Sequence, residues 1–352
     1  MVTSPRAGVH YPRSLGEFQS WFASDEDRLD YLEWLRWPEG FVCSACGASG
    51  WRLGDGRFMC AGCGLRSSVT AGTLFDRSRT PLTVWFSACW TFATSKDGVS
   101  ASSLQRQLGF GSYQTAWALL QRLRAVLVRP GRERLSGRVE VDETYLGGPT
   151  PGLTGRALGK RALVAIAVEV RDDEGIGRCR LAPIPDASSK SLRTFVDQNV
   201  DPGTMLVTDG WPGYVNIGAD GYGHELRNQR AAKRAGEDPN ALLPAVHRVA
   251  SLVKRWLLGT HQGSVGAEHL EGYLNEFVFR FNRRSPRSRG MLFYRLLEVA
   301  VTHEPVRYAE MVKQRRPRLT PPTPPGTRGQ PASIARERAE RPWRKRQDPY
   351  SS

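Results

Sequence analysis

The chain has 352 residues, 40% of them hydrophobic, enough to bury one full core and carry a smaller accessory module. Fifty Lys and Arg against 35 Asp and Glu leave a formal charge of +15 and a pI near 10.0, which favours a polyanionic partner such as nucleic acid over the plainer reading of a merely soluble basic protein. No stretch approaches the ~20 apolar residues needed to span a bilayer, and Met1–Ser14 lacks the apolar run of a signal peptide, so composition argues against a membrane protein and for a cytosolic one.

In chain order, Leu15–Trp37 places Phe18, Trp21, Phe22, Leu29, Leu32 and Leu35 at helical spacing and stops before Pro38 and Gly40, which predicts a helical N-terminal segment, 1–40, with a packing role. Residues 41–73 contain Cys43-x-x-Cys46 and Cys60-x-x-Cys63, each pair followed by glycine, around a hairpin-forming stretch Trp51–Met59. In a reducing compartment this pattern signals metal rather than disulfides, and four thiolates around one Zn²⁺ make a closed, structural site. Its expected use is to present Trp51, Arg52 and Arg57 to DNA. Cys89 and Cys179 lie in apolar or strand-like surroundings and are read as inert.

Across 80–130 the pattern is helical, and Ala101–Leu108, Gly109–Ser112 and Tyr113–Leu127 read as helix, tight turn, helix. That is a helix-turn-helix candidate whose second helix offers Gln114 near its N-terminal end, the alternative being a helical linker. From 136 to 302 strand-like runs at Arg138–Leu146, Ala162–Val170, Arg178–Ile184 and Met205–Thr208, with a helix at Ser188–Val200 before the last, predict a mixed α/β sheet. Helices are expected at Ala241–Leu258, Ala267–Phe281 and Met291–Val301. The tail, 313–352, is rich in Pro and Arg, carries a net +8, and has too few apolar residues to fold alone. It is read as a disordered basic arm, and residues 1–312 keep the other +7.

The segment Val139-Glu-Val-Asp-Glu-Thr-Tyr-Leu-Gly-Gly148 sets acids among β-formers, and an acid in such a strand is costly unless it is functional or at an edge. Met205-Leu-Val-Thr-Asp-Gly210 delivers a second carboxylate at the C-terminal end of a strand, where α/β sheets place ligands. Asp142 and Asp209 on neighbouring strands could hold a divalent metal pair. At ~100° per residue His247, Ser251 and Lys254 share one face of a helix, so His247 could complete the metal site and Lys254 hold a phosphate. Standing alone, that helix would be read as a solvated polar face.

These motifs, with Thr208-Asp-Gly-Trp-Pro-Gly-Tyr214, Arg255 through His261 and Tyr273 through Arg284, resemble DDE-type insertion-sequence transposases with an N-terminal zinc ribbon, the ISXO-like group. The resemblance runs from about Leu15 to Val301. It implies an RNase H-like catalytic domain after a zinc ribbon and a helix-turn-helix region, and a DNA transposase that cleaves and joins strands. It implies Asp142 and Asp209 as metal ligands for two Mg²⁺ or Mn²⁺, with the third acidic position of the triad occupied by His247 and Lys254 following seven residues later. Transposon-end and target DNA are the implied partners, with contacts expected from Arg52, Arg57, Gln114, Lys254, Arg255, Arg283 and Arg284. A homodimer or higher oligomer on DNA and a prokaryotic, nucleoid-associated location in the cytoplasm follow from the same resemblance. Glu276 is the tempting substitute for the third acid, but helical spacing sets it against Arg280 and Arg283, and an ion-pair network explains it. Two rivals use parts of the same pattern: a nuclease or resolvase that stops at hydrolysis, and a zinc-ribbon regulator that would need only the first ~130 residues.

Overall fold

The computed structural model describes residues 5–129, 131–147, 161–171, 175–236, 238, 241–262, 265–285 and 288–313. The expected basic arm from 314 onward and Gly148 lie outside them. The described chain forms two compact units, one from the residues up to Val126 together with those from Ser285, the other from Leu127–Arg284.

The first unit opens with α1 (Leu15–Trp21) and α2 (Asp25–Arg36). The helical segment expected over Leu15–Trp37 consists of two helices, the second started at Ser24, whose hydroxyl accepts the Asp27 backbone N–H while the Asp27 carboxylate accepts the Ser24 N–H, a reciprocal cap. Strands β1 (Gly50–Arg52), β2 (Phe58–Cys60) and β3 (Arg66–Ser67) form a small antiparallel sheet. Then come α3 (Leu82–Thr94), α4 (Ala101–Leu108) and α5 (Tyr113–Ala125). The turn between the last two is made by Gly109 at φ +67°, a left-handed conformation that costs glycine little.

The second unit holds one five-stranded sheet of β4 (Arg138–Leu146), β5 (Ala162–Arg171), β6 (Gly175–Pro183), β7 (Met205–Thr208) and β8 (Gly223–Leu226), in the order β6-β5-β4-β7-β8. The β4–β5 and β5–β6 pairs are antiparallel; β4–β7 and β7–β8 are parallel. One face packs on α6 (Ser189–Asn199) through Val139, Val141, Ala165, Ala167, Leu192 and Phe195. The other packs on α8 (Pro244–His261) and α9 (Leu270–Phe281), with Val164, Ile166 and Val168 against Val246, Val249, Val253 and Phe277. A short α7 (Gln229–Arg234) precedes α8. Alternation along β5 thus feeds two cores, which is why it reads as a continuous apolar run.

The chain then adds α10 (Gly290–Ala300) and α11 (Tyr308–Lys313) to the first unit. This corrects the expectation that the catalytic domain runs on to 302. Phe293 of α10 is fully buried with its ring centroid 5.5 Å from Phe18, 5.5 Å from Trp90 and 6.0 Å from Phe86. The apolar face of α10 therefore belongs to the core of the first unit, and the second ends near Arg284. Among the described residues no helix is long and apolar enough to cross a membrane.

Candidate functional site

The four cysteines are brought together as the spacing predicts: their sulfur atoms all lie within 4.8 Å of one another, with Cys46 and Cys60 3.4 Å apart and Cys43 and Cys63 3.8 Å apart. Each pair closes a tight turn in which the glycine N–H donates to the carbonyl of the first cysteine, Gly47 to Cys43 at 2.9 Å and Gly64 to Cys60 at 3.1 Å. Both glycines sit at positive φ. At Gly62 a Cβ would come within 2.9 Å of the Ala48 Cβ and 3.4 Å of the Cys46 sulfur, so the turn needs glycine there for space. The backbone N–H of Cys63 leads the influences holding the Cys60 thiol below its ordinary range, which favours a thiolate. This donor set can hold one zinc ion.

Of the residues expected to meet DNA from this module, Trp51 is 55% exposed and the Arg57 side chain 61% exposed. Arg52 is otherwise engaged: its guanidinium pairs with Asp30 and with Glu33 at 3.0 Å, tying the ribbon to α2. Gln114 is exposed on the first turn of α5 and accepts the Ser112 hydroxyl at 2.7 Å.

In the second unit the register of β4 and β7 is decisive. Arg138 pairs with Met205, Val139 with Leu206 and Glu140 with Val207, a constant offset of 67 positions. Past the last paired residues the same offset would match Asp142 with Asp209, whose charge acts on Asp142. Because Val139 and Val141 face α6, Asp142 stands on the opposite face, under α8. Asp209 follows the last residue of β7 and is fixed in a turn: its Oδ1 accepts the Trp211 N–H at 2.9 Å, and Gly210 adopts φ +81°. The helix α8 is placed by Glu140, a buried carboxylate whose Oε2 accepts the Val246 N–H at 2.9 Å.

Between β4 and α8 lies an open cavity of about 650 Å³ with Asp142, Glu143 and Thr144 on one side and His247, Arg248, Ser251 and Lys254 on the other. Asp209 is not part of its lining, yet its charge acts on both Asp142 and His247. Withdrawal from water, then repulsion by Asp209 and Glu143, raises the Asp142 carboxyl to about 7. Burial lowers His247 and so favours its neutral form, and burial also lowers Lys254, against the pull of Asp142. The Nε2 atom of His247 is buried and has no hydrogen-bond partner among the described residues.

Two carboxylates that act on each other by charge and an imidazole nitrogen without a partner among the described residues are donor types that would suit a divalent metal. Their ligand atoms are not drawn into a cluster as tight as that of the four cysteines, the only group of three or more within 4.8 Å among the described residues. Glu276 is elsewhere, fully buried on α9 and paired with Arg280 at 2.9 Å. Arg255 is exposed on α8. Arg283 lies over the Phe279 ring at 4.3 Å, and Arg284 lies over Phe281 at 4.2 Å while donating to the carbonyls of Gly177 and Ile176, so Arg284 braces α9 to β6. Sequence reasoning passed over Arg248, which lines the cavity, and Glu140, which was noted only as an acid in a strand. The Arg248 signal was its place directly after His247.

Residues 134–282 match the ISXO2-like transposase domain and residues 23–66 the transposase zinc-ribbon domain. The chain therefore carries the domain pair of an insertion-sequence transposase. In these two stretches it is similar to the ISXO2-like transposases with an N-terminal zinc ribbon. It is 28% identical over 276 residues to an uncharacterised protein of the transposable element ISH50 from Halobacterium salinarum, covering 74% of this chain and 91% of that one. Among solved structures, a chain of a simian T-cell lymphotropic virus intasome bound to the PP2A regulatory subunit B56 gamma matches at 14% identity over 67% of this chain and 81% of that one, with a TM-score of 0.28, too slight a likeness to carry an argument.

Proposed function

We propose that this protein is a DNA transposase that binds the ends of its element and catalyses metal-dependent strand cleavage and strand transfer on an RNase H-like core. The observation that supports the reading is the parallel β4–β7 register, which runs toward Asp142 and Asp209, together with the cavity in which Asp142 faces His247 and Lys254. Mg²⁺ or Mn²⁺ ions held by Asp142, Asp209 and His247 would supply activation of the attacking oxygen and stabilisation of the leaving 3′ oxygen in an in-line displacement. The two aspartates must be ionised and His247 neutral to serve as ligands. Lys254 and Arg248, across the cavity from the acids, hold DNA phosphates and orient the scissile strand. Water attacks first to free a 3′ hydroxyl at the element end, and that hydroxyl then attacks target DNA.

In this reading the ribbon and the α4–α5 helix-turn-helix read the element ends through Trp51, Arg57 and the exposed first turn of α5, and a homodimer or higher oligomer brings two ends together. The test incubates the protein with labelled end DNA, a target plasmid and Mg²⁺ or Mn²⁺. Covalently joined products support transposition; hydrolysis without joining identifies a nuclease of the same fold instead.

A further inference from the structure

The turn that carries Asp209 is held to the rest of the second unit at several points. After Asp209 and Gly210, Trp211 donates its indole N–H to the Ala187 carbonyl at 2.8 Å. Residues Pro212–Tyr214 then form one 3-10 turn. Gly213 is packed so closely that a Cβ would come within 2.8 Å of the Ala187 carbonyl oxygen and of a Leu192 methyl. This places Tyr214, five residues after Asp209, fully inside the core between the sheet and α6. A phenol in such a core needs a partner for its hydroxyl. It finds one in the catalytic strand: Tyr214 Oη donates to Glu143 Oε2 at 3.1 Å. Glu143 is the residue next to Asp142, and the Asp142 carboxylate in turn accepts the Glu143 backbone N–H at 2.8 Å.

We infer that the Tyr214 hydroxyl and Glu143 are positioning residues that set the spacing of the Asp142 and Asp209 carboxylates for metal binding. The inference rests on the proposed metal site and deepens it. The β4–β7 pairing ends at Glu140 and Val207, so no ladder hydrogen bond fixes the relative placement of Asp142 and Asp209 beyond that point. The contact from Tyr214 to Glu143 links the 3-10 turn that follows Asp209 to the strand residue next to Asp142, past the last paired residues of the two strands. It orients the ligands without joining them, the part that outer hydrogen-bond partners play at metal sites, where their loss weakens metal binding by about 10–100-fold.

The test measures Mn²⁺ binding to the zinc-loaded full-length protein by titration calorimetry and by the electron paramagnetic resonance signal of bound manganese, without DNA. Asp142→Asn serves as the control for site occupancy. Tyr214→Phe keeps the ring and removes only the hydroxyl, so we expect an unchanged circular dichroism spectrum and Mn²⁺ affinity at least ~10-fold weaker. In a Glu143→Leu background the additional effect of Tyr214→Phe should vanish, because the hydroxyl acts through Glu143. Wild-type Mn²⁺ affinity in folded Tyr214→Phe, or full additivity of the two changes, overturns the positioning role alone. Absence from the wild type of any Mn²⁺ binding sensitive to Asp142→Asn overturns the metal site and the positioning role together.

Discussion

Glu140 accepts the backbone N–H of Val246 at 2.9 Å, so the strand that carries Asp142 also holds the first turn of the helix that carries His247 and Lys254. Helix α8 opens with Leu243 and Pro244 and has no side-chain cap of its own, so the buried Glu140 carboxylate performs that task from the sheet. Glu140→Ala leaves the buried N–H unpaired and should cost about 1–3 kcal/mol; Glu140→Gln retains an acceptor and should cost less. Hydrogen exchange of peptides covering 244–254 provides the measurement. Unchanged protection in Glu140→Ala would show that α8 is held by its apolar face alone.

Asp142 predicts an unusual pH dependence of the metal-free protein. Its carboxyl is raised to about 7 by burial and by Asp209 and Glu143, from an ordinary 3.8. Between those values the folded state binds the proton more tightly than the unfolded chain, so this group's contribution to stability falls as pH rises from about 4 to 7 and stays low above that. Without added Mg²⁺ or Mn²⁺, Asp142→Asn should melt at a higher temperature than the wild type at pH 8, and the gap should close toward pH 4. Adding Mn²⁺ should raise the melting temperature of the wild type alone. A lower melting point for Asp142→Asn at pH 8 would count against the repulsion described here.

The ribbon should contain one zinc per chain, and loading it should release protons because some of the four thiols are protonated beforehand. Cys60→Ser removes a thiol that its surroundings hold below its ordinary range. Elemental analysis should find zinc lost from this variant, with proteolysis falling within 41–73 while the 127–284 unit stays resistant. Stoichiometric zinc in Cys60→Ser would remove that cysteine from the site.

The strands that carry Asp142 and lead to Asp209 were the most legible part of the sequence. Arg138–Leu146 and Met205–Thr208 were predicted with the bounds the structure shows, since each is a β-forming run that ends in residues unable to continue it. Strand β8 was missed because Gly223-His-Glu-Leu is short, polar and at the sheet edge, where no core face imposes a pattern. The membership of α10 was misjudged because an amphipathic helix declares that it packs, not which unit it packs on. Arg52 looked available for DNA because its partners Asp30 and Glu33 lie about twenty positions back on another element. Asp142 and Asp209 could be matched as a pair by their strands, but their register and the Tyr214 contact depend on the assembled sheet.

His247 should contribute a neutral imidazole ligand. Its Nε2 is buried and has no hydrogen-bond partner among the described residues, and burial lowers its protonation. Imidazole suits Mn²⁺ better than Mg²⁺, so strand transfer should be stronger with manganese. His247→Ala should abolish joining while sparing end binding, His247→Glu should retain activity with Mg²⁺, and Glu276→Gln should retain most activity wherever the fold survives loss of its Arg280 pair. Gel assays of joining and end binding on the same preparations separate these effects; full joining by His247→Ala would remove it from the metal site.

The most direct test of the account is strand transfer by the single variants Asp142→Asn and Asp209→Asn, each assayed with labelled end DNA, target plasmid and Mn²⁺, with end binding measured in parallel. The account predicts wild-type end binding by both variants and at least a ~10³-fold loss of cleavage and joining in each, as expected when a metal ligand essential to an in-line displacement is removed. Joining at wild-type rates by either variant, with its folding and end binding intact, would contradict it.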